Sequence, residues 1–159
     1  MAVATHLGPW LLGTVKDTTG TTAGTIRNVG ATPVIQSKVV AYADTTANTT
    51  LAVLPAGAYI QNIQFLFTTA YTTTNPTFTI YVNGTAITAA ITIASPAAGA
   101  TGVAALALGT TNPSLVANVG TTDAIISFTQ TNGGGGTGAG VLVIAYLVRN
   151  ADGTYGAAN

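Results

Sequence analysis

The chain has 159 residues, enough for one domain with a substantial core. Hydrophobic residues make up 48% and charged residues 5%, against roughly 25% charged in an ordinary globular domain. Four Lys and Arg balance four Asp, with no Glu, which excludes the basic stripe that nucleic acid needs and the basic cluster that holds a protein to an anionic membrane.

Residues 1–32 are rich in Gly and Thr, lack steady alternation and read as an N-terminal arm. The start, MAVATHLGPWLLG, has neither the basic head nor the continuous apolar core of a signal peptide. No apolar run approaches the ~18 residues of a membrane span. The chain is therefore expected to be soluble and made in a cytoplasm. From Pro33 the pattern becomes β-rich. IQSKVVAYAD (35–44) places Lys38, Val40 and Tyr42 on one face and Val39, Ala41 and Ala43 on the other. NTTLAVLP (48–55) follows, stopped by Pro55 and Gly57. AYIQNIQFLFTTA (58–70) sets Gln61, Ile63, Phe65 and Phe67 against Asn62, Gln64 and Leu66.

PTFTIYV (76–82) alternates strictly, with Phe78, Ile80 and Val82 inward. Asn83-Gly84 comes next, then TAITAAITIA (85–94) with Ile87, Ala89, Ile91 and Ile93 on one face. Two alternating runs about an Asn-Gly pair predict a hairpin, because both turn residues tolerate positive φ. Residues 95–112 predict either a short helical turn near 102–108 or a loop crossing the sandwich. PSLVANV (113–119) and DAIISFTQT (123–131) read as strands, the latter with Ala124, Ile126 and Phe128 together. NGGGGTGAG (132–140) reads as a loop. GVLVIAYLVRN (140–150) is apolar on both faces, Val141, Val143, Ala145 and Leu147 opposing Leu142, Ile144, Tyr146 and Val148. An antiparallel strand with one wet face does not look like that. One face is expected to meet the core, and the other to meet another subunit or the arm.

The chain thus divides into an arm (1–32), a β domain (33–150) and a tail (151–159). About eight short strands without a repeat predict an all-β antiparallel sandwich, with a jelly roll favoured by the strand number.

Catalytic chemistry is poorly provided for. A nucleophile-base-acid constellation needs converging partners, and the single His, His6, stands alone in the arm. With no Cys and one His, no transition-metal set can be assembled. Asp17, Asp44, Asp123 and Asp152 show no calcium-loop spacing and read as turn formers. The GGGG at 133–136 lacks the Lys-Ser/Thr of a phosphate loop and lies between strands. No catalytic residue, cofactor or metal is expected. The arm residues His6, Leu7, Pro9, Trp10, Leu11, Leu12, Lys16 and Arg27 are the candidate partner-binding set. Trp10 supplies a large anchor with few rotors and Pro9 stiffens the chain beside it. Packing of Trp10 back onto its own sandwich is the alternative. Val141, Val143, Ala145 and Leu147 are the candidate oligomer interface.

LPAGAYIQNIQFLFTTAY (54–71), TFTIYVNG (77–84) and the closing GVLVIAYLVRN together resemble the small jelly-roll decoration, or cement, proteins on the heads of tailed bacteriophages. The resemblance covers about residues 33–150 and rests on structural motifs. It implies a homotrimer seated on the major capsid protein, a location on the capsid surface of the virion, and a stabilising role. Weak charge repulsion is compatible with life inside an assembly. The competing expectation is a jelly-roll carbohydrate- or receptor-binding module of a phage fibre, for which Tyr42, Tyr71 and Tyr81 are the available aromatic platforms.

Overall fold

The structure, a computed structural model, describes residues 32–45, 47–72, 74–98, 100–132 and 136–149. The arm candidates His6, Leu7, Pro9, Trp10, Leu11, Leu12, Lys16 and Arg27 lie outside the described residues, as does the tail.

Two antiparallel sheets pack face to face. One holds β1 (Thr32–Ala41), β9 (Ala139–Val148), β3 (Tyr59–Thr69) and β7 (Gly102–Ala105), in that spatial order. The other runs β2 (Thr49–Leu54), β8 (Ala124–Thr131), β4 (Thr77–Val82) and β5 (Thr85–Ala86), with β6 (Ile91–Thr92) also on β4. The chain is an all-β sandwich. Its pairings are nested: β1 with β9, β2 with β8, β3 with β7, and β4 with β5 and β6.

Alternation builds the core. Phe78, Ile80 and Val82 of β4 face Ala124, Ile126 and Phe128 of β8 on one inner layer, and all are buried. Ile60, Ile63, Phe65 and Phe67 of β3, with Leu142, Ile144 and Tyr146 of β9, form the other. Phe65 meets Phe78 across the sandwich at 5.1 Å between ring centroids. Pro55 and Gly57 make the expected stop: Ala58 N–H donates to Pro55 C=O at 3.1 Å, and Gly57 has φ 73°. Asn83 and Gly84 make the expected hairpin turn, with φ 48° and 80°, both positive as a type I′ turn requires.

Four local expectations fail, each for a nameable reason. The strand expected over 85–94 breaks into β5 and β6. Between them three residues of this run, Thr88 to Ala90, stand opposite one of β4, Thr79, so Ala89 turns outward to solvent. Gln61 is exposed instead of sharing the inner face with Ile63, because a bulge between Ile60 and Asn62 hands the inward place to Ile60. Residues 102–105 are neither helical turn nor loop but strand β7, drawn into register by the free edge of β3. Residues 113–119 hold a helix, α1 (Pro113–Ala117), instead of a strand. Pro113 opens it, with fixed φ and no N–H to leave unpaired, and Leu115 and Val116 pack on the core.

Candidate interaction surface

The site is built from β9 outward. Its sequence, AGVLVIAYLV, is apolar at every position but Tyr146. Leu142, Ile144 and Tyr146 point into the core and are buried. Val141, Val143, Ala145 and Leu147, the four expected interface residues, point the other way and are half-buried. They are half-buried because β9 is central, flanked by β1 on one side and β3 on the other.

Register carries this face across the sheet. One row is Val39, Val141, Leu66 and Val103. The next is Ser37, Val143, Gln64 and Ala105, followed by Ile35, Ala145 and Asn62, then Pro33, Leu147 and Tyr59. None of these rows contains a charged side chain. Its rim is the most exposed apolar material in the described chain: Ile35 at 69%, Val39 at 70% and Val103 at 65%. Arg149 stands just beyond Leu147, with its guanidinium occupied by Gly57 O at 2.9 Å, by Ala117 O, and over the Tyr59 ring.

The second sheet has an outer face of another kind. Thr92, Thr77 and Thr131 form one row there, and Thr79 and Thr129 the next. Tyr81 and Ser127 pair in a further row. An antiparallel sheet normally wets its outer face in this way. Among the described residues the second sheet's one exposed apolar row is Val53 and Ile125, at one end, whereas on the four-stranded sheet every row carries apolar side chains.

Sequence reading named the β9 residues and missed Ile35, Leu66 and Val103. Ile35 and Leu66 were open to discovery, since β1 and β3 carry apolar residues on both parities. Val103 was not, because Gly-Val-Ala-Ala carries no strand signature apart from the β3 edge it pairs with.

The remaining chemistry is structural. Asp44 accepts from Ala41 N–H at 2.8 Å, the turn role expected of it, whereas Asp123 accepts from Ala56 N–H at 3.1 Å, far away in the chain, and ties the start of β8 to the turn before β3. Among the described residues no three His, Cys, Asp or Glu converge. Tyr71, read as a possible sugar platform, is buried. It packs 5.6 Å from Tyr42, and its hydroxyl donates to Gln130 Oε1 at 3.3 Å. Burial pushes its phenol up to about 12, with the charge of Asp44 adding to the effect. The fully buried Gln130 amide in turn donates to Ala41 O and Tyr42 O, tying β8 to the end of β1. Among the described residues no helix is long and apolar enough to cross a membrane.

Compared with known proteins, the chain matches no family model, no curated protein and no solved structure.

Proposed function

We propose that this chain is a structural virion protein that binds the outside of a phage capsid and stabilises it as a decoration trimer. The observation that carries the reading is the uncharged apolar outer face of the β1-β9-β3-β7 sheet. Four adjacent rows of it expose aliphatic side chains with no charge to keep copies apart. Contiguous apolar surface of this kind marks an interaction site, and an assembly in which it is buried suits it better than a free monomer.

The nested strand pairing supports reading the sandwich as a jelly roll. The motifs that carry the resemblance lie at the ends of elements: Pro55-Ala56-Gly57 turns into β3, β4 ends at Asn83-Gly84, and β9 is the last strand of the sandwich. Decoration requires no chemistry. It works by holding several copies of the major capsid protein at once, so that opening the shell breaks many contacts together. A closed symmetric trimer supplies the valency.

The test is the solution mass of the full chain beside a chain beginning at Pro33, followed by co-sedimentation with capsid shells. A trimer that sediments with shells, and whose assembly changes on truncation, is the expected result. Two well-behaved monomers that ignore shells would overturn the reading in favour of a glycan- or receptor-binding module, which a glycan array would then identify.

A further inference from the structure

The apolar face of the four-stranded sheet has no element over it among the described residues. We infer that in the unassembled chain it is covered by residues 6–12 of the same chain, His-Leu-Gly-Pro-Trp-Leu-Leu. Three observations lead there.

The first is where the described chain begins. Thr32 pairs with Val148, and the next row of the face is Pro33, Leu147 and Tyr59. The preceding residues therefore leave from a corner of the apolar surface itself.

The second is length. Nineteen residues separate Leu12 from Thr32. Fully extended they span at most roughly 65 Å, and a coil of that length averages about 24 Å end to end. A ten-residue strand such as β9 is about 33 Å long. The segment reaches every row of its own sheet without being stretched. Tethering at matched length gives an effective concentration on the order of millimolar, far above that of a second copy in dilute solution.

The third is chemistry. Residues 7–12 carry Leu7, Pro9, Trp10, Leu11 and Leu12, and the first charge after them is Lys16. That composition matches a face with no charge of its own. Trp10 also brings an indole N–H that needs an acceptor when buried. Gln64, half-buried in the Val143 row, places an amide oxygen in the middle of the face. The inference itself concerns the free chain and does not depend on the decoration reading.

Trp10 is the only tryptophan, so its fluorescence reports on the segment directly. The full chain is diluted until its mass is that of a monomer, and acrylamide quenching of Trp10 is measured. Strong protection is expected. Val143→Asp, at the centre of the face, should raise the quenching constant at least twofold. Val39→Asp, on the exposed edge strand where folding is least at risk, should do the same with an unchanged thermal transition. Ile125→Asp, exposed on the other sheet, should leave quenching unaltered. Trp10 quenched as freely as in an unfolded chain would overturn the inference, as would protection indifferent to both face variants. Protection that disappears on dilution in step with the mass would also overturn it, by making a second copy the occupant. Failure of the capsid reading would appear only in shell co-sedimentation and would leave the monomer's quenching unmoved.

Discussion

The ring of Phe65 fills the space that a side chain at Gly140 would occupy. A Cβ built there would overlap both Phe65 Cζ and the backbone oxygen of Leu66. Two strands, β3 and β9, approach through that missing side chain, and Phe65 uses the gap to reach Phe67, Tyr71 and Phe78. Gly140→Ala is therefore expected to force β3 and β9 apart. Overpacking costs about 1–3 kcal/mol where side chains can yield, and a backbone oxygen cannot, so a loss of about 3 kcal/mol in urea unfolding is expected. Gly138→Ala meets the Tyr71 ring at 2.6 Å and should cost less, because a ring can tilt.

The raised phenol of Tyr71 makes stability fall in alkali. Its unfolded value is about 10, and its folded value is pushed up to about 12. The folded state thus holds the proton more tightly. The contribution is complete below pH 10 and is lost as pH rises from 10 through 12. Tyr71→Phe removes this slope along with the bond to Gln130. At pH 8 the variant should be less stable, by about 1 kcal/mol. Between pH 10 and 12 the gap should narrow, read by urea midpoints at each pH. A gap that stays constant would contradict the assignment.

Arg149 closes the lower end of the sandwich. Its Nε donates to Gly57 O in the turn before β3, its Nη2 to Ala117 O at the end of α1, and its guanidinium lies 5.7 Å from the centre of the Tyr59 ring. Arg149→Ala should cost about 2 kcal/mol, since hydrogen bonds to charged donors contribute about 1.5–3. Arg149→Lys should recover less than half of this, because an ammonium cannot reproduce the planar fork that serves two carbonyls at once. Thermal unfolding of the three chains side by side decides it.

The parts legible in the sequence were those where local signal and tertiary need agree. Phe78, Ile80 and Val82 alternate, and Asn83-Gly84 turns, so β4 and its hairpin could be read directly. β9 could be read as a two-sided strand, and the all-β sandwich followed from strand number. The illegible parts were set by partners distant in the chain. β7 is a strand only because β3 offers an edge. Helix α1 carried a signal, Pro113 at its first turn, but Leu115, Val116 and Val119 lent it the look of a strand. The Gln61 bulge exchanged one inward residue for another without disturbing Ile63, Phe65 or Phe67, an adjustment that periodicity alone does not resolve. Of the interaction surface, the central strand was legible and Ile35 and Leu66 could have been, whereas Val103 could not, since Val39 and Val103 share a row only through β9 and β3.

The broken strand over 85–94 yields the last prediction. Ile87 N–H still donates to Ile80 O at 2.9 Å, as a ladder would continue. The reciprocal bond is not made by backbone: Ile80 N–H donates to the Thr88 hydroxyl at 3.0 Å. Both residues are buried, so the hydroxyl stands in for a carbonyl that the two extra residues have carried away. Water cannot replace it without opening the site. Thr88→Val keeps the shape and deletes the acceptor, leaving a buried N–H unpaired at a cost of about 1–3 kcal/mol. Thr88→Ser keeps the oxygen and loses one methyl, for about 1 kcal/mol. Hydrogen exchange separates the two beyond stability. The Ile80 amide should exchange much faster in Thr88→Val than its neighbours Phe78 and Val82, and in step with them in Thr88→Ser. Uniform exchange in both variants would mean that the backbone re-forms the ladder once the hydroxyl is gone, and that the strand was broken by Thr88 itself rather than by the loop beyond it.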